Sequence, residues 1–176
     1  MRNLRIARAG AERLSDIAPL WKALQAHHAA LAPTLGGHVA RSPEEAWEQR
    51  RVKYEAWLRE PDTFVLLAER AGQPVGYALV TIGEGPQGWA VGKRVADVQT
   101  LSVLSDARSE GCRDPAHGCR GGRIETARVG ELRLLVIAPN AEAIRFYERR
   151  GLTTVSHVMA GPVRRRPRQS TACVAR

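Results

Sequence analysis

The chain has 176 residues, 44% hydrophobic and 26% charged, with 16 Gly, 10 Pro and 3 Cys, an ordinary size for one soluble domain. Three Cys at irregular spacing cannot close a disulfide framework, no window approaches the apolar run of about 18 residues that a membrane span needs, and Met1 to Gly10 lacks the apolar stretch of a secretory signal, so a cytoplasmic protein is expected. Of the formal net charge of +9, five arginines (Arg164, Arg165, Arg166, Arg168 and Arg176) lie in an acid-free terminal stretch, and nine less those five leaves +4 up to Ala160. That balance suits a protein handling a polyphosphate-bearing cofactor and an ordinary solvated surface equally.

Leu4 to Arg8 alternates as a short strand. Ala11 to Ala30 places Leu14, Ile17, Ala18, Trp21, Leu24 and His28 at helical steps. Ala32 to Arg41, with Pro33 and Gly36-Gly37, reads as loop. Ser42, Pro43 and Glu45 form a helix start with Ser42 as cap, and the helix runs to about Glu60. Its Trp47, Arg51, Tyr54, Trp57 and Leu58 share one face, an aromatic stripe that suits a core better than a ligand cradle. Thr63 to Glu69 and Pro74 to Ile82 are β-rich runs around the turn Arg70-Ala71-Gly72-Gln73. Val95 to Leu104 and Glu131 to Ile137 are further strands. Asn140 caps a helix from Ala141 to Arg150, Gly151 ends it, and Thr153 to Met159 is a last strand. This order predicts an α/β mixed sheet with helices on its faces, with residues 1–160 as the domain and residues 161–176 as a basic tail without apolar periodicity.

The stretch Val136 to Leu152, VIAPNAEAIRFYERRGL, closely resembles the C-terminal motif of the GCN5-related N-acetyltransferases: a strand, Asn140, a helix with Ala143 and Phe146-Tyr147, and then Arg150-Gly151-Leu152. Val98 to Leu104 followed by Ala107-Arg108-Ser109-Glu110-Gly111 resembles the same family's acetyl-CoA strand and pyrophosphate loop, and the hairpin VLLAERAGQPVGYALV fits too. The resemblance covers about residues 4 to 159. It implies a splayed sheet in which the backbone of Leu101, Ser102 and Val103 pairs with pantetheine amides. Arg108, Ser109, Glu110, Gly111 and Arg113 would form the loop that turns amides toward the pyrophosphate. Arg113 departs from the pattern, standing where the family has a tiny residue. Asn140, Ala143 and Phe146 would lie along the cofactor arm, and Tyr147 would donate a proton to the leaving thiolate.

A competing reading of Tyr147 is a half-buried aromatic, and Asn140 can serve as an N-cap whether or not it meets a cofactor. For the general base, family members often carry an acid at the position of Gln99, which cannot take a proton. Asp97, two residues earlier on the same strand face, is the candidate, against a solvated strand-end carboxylate. His28 sits on the apolar stripe and reads as packing, while His27 and His38 are undecided.

One segment disagrees with its surroundings. Between Cys112 and Gly122 stand two Cys, one Pro and three Gly, a weak helix where the resemblance calls for a long amphipathic one. A single-base insertion near codon 112 with a single-base deletion near codon 122 accounts for this. With permitted synonymous codons, the shifted frame turns CRDPAHGCRGG into VGTRLMDAVEA, restoring Gly at position 113 and apolar residues at helical spacing. Cys112, His117 and Cys119 match no common zinc spacing, and no metal is expected.

The sequence therefore predicts transfer of acetyl from acetyl-CoA to a small-molecule or peptide amine, in a protein that a homodimer would also suit. A catalytically impaired member acting as an interaction module is the alternative, resting on Arg113 and residues 112–122. A basic nucleic-acid binder is the third, and no reading motif supports it.

Overall fold

The start of the second helix follows from three residues. Ser42 Oγ accepts from the Glu45 amide at 3.3 Å, Glu45 Oε2 accepts from the Ser42 amide at 3.3 Å, and Pro43 takes the first helical position, where a missing N–H costs nothing. The computed structural model describes residues 4–107 and 129–161. Its elements are β1 (Leu4–Ala9), α1 (Leu14–Leu31), β2 (Thr34–Leu35), β3 (His38–Val39), α2 (Pro43–Trp57), β4 (Thr63–Arg70), β5 (Gln73–Glu84), β6 (Arg94–Val103), β7 (Val129–Leu134) and α3 (Ala141–Glu148).

A five-stranded sheet runs β1-β4-β5-β6-β7. The first four strands pair antiparallel, and β7 lies parallel to β6. Parallel neighbours need a crossover, here residues 104–128, of which 108–128 lie outside the described residues.

Alternation along β4 and β5 divides the core in two. Val65, Leu67, Tyr77 and Leu79 face α1 and α2, where they bury Ile17, Leu20, Trp21, Trp47 and Tyr54. Phe64, Ala78 and Val80 face the other way and pack with Ala96 and Val98. Burying each large side chain contributes on the order of 2 kcal/mol, so the α1–α2 side anchors the sheet on which the candidate site is built.

Four expectations change. Ala32 to Arg41 contains the small β2–β3 hairpin, because Gly36 and Gly37 (φ +60° and +82°) supply the two positive φ values of a two-residue turn. The second helix ends at Trp57 rather than Glu60: Arg59 and Glu60 donate to the carbonyls of Ala56 and Trp57, three residues back, so the chain tightens into turns there. Strand β7 stops at Leu134, short of Ile137. Thr153 to Met159 forms no strand: Val155, Val158 and Met159 are exposed and pair with no described strand, and β-prone residues need a ladder partner as well as propensity. Among the described residues no helix is long and apolar enough to cross a membrane.

Candidate active site

The site begins with a break in strand β6. Leu79 stands opposite Thr100 and Val80 opposite Val98, so Gln99 is an extra residue on β6, a β-bulge. The bulge changes the phase of the strand. Ala96 and Val98 pack against Phe64 and Val80, whereas Thr100, the next even-numbered residue, turns to the opposite face and meets Tyr54. The parallel ladder with β7 ends at the same place, at Val98 and Leu134. From Thr100 to Val103 strand β6 is still paired to β5, while β7 no longer runs in register along its other edge. The two strands separate there, as the resemblance implied.

Helix α3 stands across this opening. Asn140 caps it, with Oδ1 accepting from the Ala143 amide at 3.1 Å, which leaves the carboxamide NH2 available. A cavity of about 300 Å³ lies between Leu101, Ser102 and Val103 of β6, Asn140, Ala143, Phe146 and Tyr147 of the α3 segment, and Leu24 and His27 of α1. Ser102 is buried and its hydroxyl donates to the Leu20 carbonyl at 2.8 Å. Its backbone, rather than its side chain, is what Ser102 can offer a ligand. The rings of Phe146 and Tyr147 meet edge to face at 5.2 Å, and the Arg150 guanidinium sits 3.8 Å over Phe146. Burial pushes the Tyr147 phenol up to about 12, with Arg150 pulling slightly the other way, so the hydroxyl keeps its proton at neutral pH.

A second cavity of about 180 Å³ shares Leu24, Leu101, Asn140, Ala143 and Tyr147 with the first. It opens toward Trp21, Gln25 and His28 of α1, Arg50 of α2 and Gln99 of the bulge. Tyr147 therefore stands between two chambers. Burial, and then the neighbouring His27, hold the His28 imidazole below its usual range, so it is neutral at pH 7 and can accept a proton. Beneath this floor runs a chain of hydroxyls. Thr100 Oγ1 donates to the Gln99 carbonyl at 2.8 Å and accepts from Tyr54 at 2.5 Å, so in the 3.1 Å contact between Tyr54 and Tyr77 the donor is Tyr77.

Among solved structures with this fold are several acetyltransferases. A GCN5-related N-acetyltransferase from Ralstonia eutropha superposes with a TM-score of 0.70 at 13% identity, over 92% of this chain and 99% of that one. The chain has the fold of the GCN5-related N-acetyltransferases. An aminoglycoside N-acetyltransferase solved in complex with CoA matches at TM-score 0.63 and 16% identity, over 96% and 97% of the two chains. A ribosomal-protein-alanine N-acetyltransferase from Brucella melitensis matches at 0.59 and 18%, over 89% and 98%. No protein-family model matches the sequence, and no curated protein matches it.

On this acetyltransferase fold, Leu101, Ser102, Val103, Asn140, Ala143, Phe146 and Tyr147 come together around the larger cavity. Asp97 does not join them. It pairs in register with Thr81 and Arg133 in the closed part of the sheet and lines neither cavity. Gln99 reaches Thr81 Oγ1 at 2.9 Å. Arg108, Ser109, Glu110, Gly111 and Arg113 lie outside the described residues, as do Cys112, His117, Cys119 and the tail from residue 162.

Sequence reasoning passed over two residues at the smaller cavity. His28 read as packing because it lies on the apolar stripe, but the last turns of α1 overhang the opening instead of the core. Arg51 was placed on the aromatic face of α2. Arg51 instead pairs with Glu48 and Glu55 at 3.4 and 2.6 Å, and Arg50 is the inward residue. The spacing held the signal, since Arg50 lies three residues after Trp47 and four before Tyr54.

Proposed function

We propose that this protein is an N-acetyltransferase that moves acetyl from acetyl-CoA to a primary amine by direct attack. The observation that carries this reading is the open edge of β6 facing α3 across a cavity that continues past Tyr147 into a second chamber. One chamber suits a cofactor arm and the other an acceptor.

The residues present fit the cosubstrate. Backbone groups of Leu101 and Ser102, which β7 does not pair, offer donors and acceptors to the amides of the pantetheine arm, and Val103 lines the same cavity. The Asn140 NH2, freed because Oδ1 is spent on the cap, offers another donor, and Ala143 and Phe146 give the arm an apolar wall. Arg108, Ser109, Glu110, Gly111 and Arg113 belong to the same reading as the pyrophosphate loop.

Acetyl-CoA supplies an activated acyl carbon, and the reaction balances as a C–N bond formed, a C–S bond broken, two protons lost by the ammonium nitrogen, one gained by the thiolate and one released to solvent. In this account His28 accepts the ammonium proton, since it faces the acceptor chamber and Asp97 does not. Tyr147 meets the sulfur side. A thiol ionises near 8.5, and Tyr147 near 12, a gap of about 3.5 pH units. The proton therefore favours the phenol over the thiolate by about three orders of magnitude. Tyr147 stabilises the leaving sulfur by hydrogen-bond donation, and the thiolate takes its proton afterwards from solvent or from His28.

A thiol-release screen against amines of several classes tests the function. Release that requires both acetyl-CoA and an amine supports it, and release that no amine accelerates contradicts it. The impaired-module reading is favoured by the sequence of residues 112–122, with Arg113 where the family pattern has a tiny residue and a weak helix former after it. It expects acetyl-CoA to bind weakly and no amine to be acetylated.

A further inference from the structure

The smaller cavity carries a charge pattern that bears on its acceptor. Arg50 is its arginine, with the guanidinium carbon 5.6 Å from the Trp21 ring centroid and 5.7 Å from that of Tyr54. Both distances are within cation–π range. Two aromatic faces thus fix the guanidinium while leaving its N–H edge to make bidentate contacts. Helix α2 is rich in acids, yet they go elsewhere: Glu48 and Glu55 pair with Arg51, and Glu44 with Lys22 at 3.7 Å. Arg50 makes no ion pair with a described residue. Among the described residues the cavity has no Asp or Glu in its wall, and its remaining polar side chains are neutral: Gln25, Gln99, Thr100, Asn140, Tyr147 and the depressed imidazole of His28. The rest of the wall is apolar, with Leu24, Val98, Leu134 and Val136.

An acceptor chamber with one held cation and no anion is poorly suited to a polycation such as an aminoglycoside or a polyamine, which like charge would repel. It is well suited to an amine whose other end is a carboxylate. We propose that the acceptor is a small primary amine that also bears a carboxylate and a short apolar body, and that Arg50 selects it by pairing with that carboxylate. The proposal rests on the acetyltransferase reading and adds the substrate class to it. It assigns one end of the substrate to Arg50 and the amine end to His28 and Tyr147, which line the same chamber.

Three amines of matched shape provide the test: leucine, leucinamide and isoamylamine, which present a carboxylate, an amide and nothing at the same place. Thiol release is measured with each at fixed acetyl-CoA. The expected kcat/KM for leucine exceeds that for leucinamide by at least about tenfold, the range of a charge-assisted hydrogen-bonded pair. Arg50→Gln is expected to bring the two within about twofold of each other, and Arg50→Lys to keep part of the preference through charge alone. Acetyl-CoA titration of each variant checks that the fold survives, and the wild-type preference is decisive if Arg50→Gln does not fold. Equal rates on the three amines, a preference for the amide or the bare amine, or a leucine preference that survives in Arg50→Gln overturns the proposal. Turnover of other amines but none of these three overturns it and leaves the acetyltransferase reading standing. Failure to bind acetyl-CoA or acetylate any amine overturns both.

Discussion

Val98 and Leu134 form the last rung of the parallel ladder between β6 and β7, and both lie in the wall of the smaller cavity. Below that rung the two strands are joined; above it β7 no longer pairs with the β6 edge. Amide hydrogen exchange reads this directly. Peptides spanning residues 99–104 are expected to become protected on addition of acetyl-CoA, while β4, paired on both edges by β1 and β5, stays unchanged. Uniform exchange across the sheet with and without the ligand would show that the free edge is not the binding element.

The approach of β5 to the same segment depends on a glycine. A Cβ at Gly76 would lie 2.9 Å from the Ser102 carbonyl oxygen and 3.1 Å from Val103 Cγ2, so the backbone of β6 would have to move. Gly76→Ala is expected to cost about 1–3 kcal/mol of stability and to weaken acetyl-CoA binding as well, because the displaced residues form the cavity wall. Thermal melting and titration check the two effects. An unchanged melting temperature would mean that β6 yields there at no cost.

Tyr147→Phe keeps the ring and removes the donor. It is expected to lower kcat by about 10²-fold while leaving acetyl-CoA affinity within about threefold. The wild-type rate should fall on the acid side at a pH below about 6.5, because burial lowers the imidazole pKa of His28, and as pH drops through it the base is lost. His28→Gln should remove that acid limb. A limb that persists assigns the base to another group.

The fold was readable where local chemistry and periodicity agree. The Ser42 capping box, the Asn140 cap and the turn at Ala71-Gly72, where φ is +52° and +77°, each leave a short-range signature, and the Phe146-Tyr147 helix resembles a known motif. Three features were not readable for the same reason. The Gln99 bulge, the unpaired Thr153 to Met159 stretch and the choice of Arg50 over Arg51 all depend on which strand or helix lies opposite, and no local pattern in Val98-Gln99-Thr100 marks an extra residue. Asp97 was reasonable from its spacing to Gln99, and β7 covers that part of the strand.

All three tyrosines of the chain, Tyr54, Tyr77 and Tyr147, are held above the ordinary phenol range, each chiefly by burial. The unfolded chain ionises them near pH 10 and the folded one does not. The unfolded state therefore binds fewer protons above pH 10, and stability contributed by the neutral phenols is present below that pH and lost as pH rises toward 12. Absorbance of tyrosinate should appear at higher pH in the native protein than in urea, where three groups titrate at about pH 10. A native titration that coincides with the one in urea would contradict the burial of the Tyr54–Tyr77–Thr100 chain and of Tyr147.

The central claim is that acetyl-CoA occupies the cleft between the open edge of β6 and α3, and calorimetric titration tests it most directly. Three proteins are compared: the chain as given, Ala143→Trp, which fills the point where the two cavities meet, and the chain carrying VGTRLMDAVEA at positions 112–122. One-to-one binding to the chain as given is expected, with a dissociation constant below about 1 mM. Binding to the rebuilt chain, whose position 113 is glycine, should be tighter, and binding to Ala143→Trp at least about tenfold weaker. No binding to either the given or the rebuilt chain, or equal binding to Ala143→Trp, would contradict the claim.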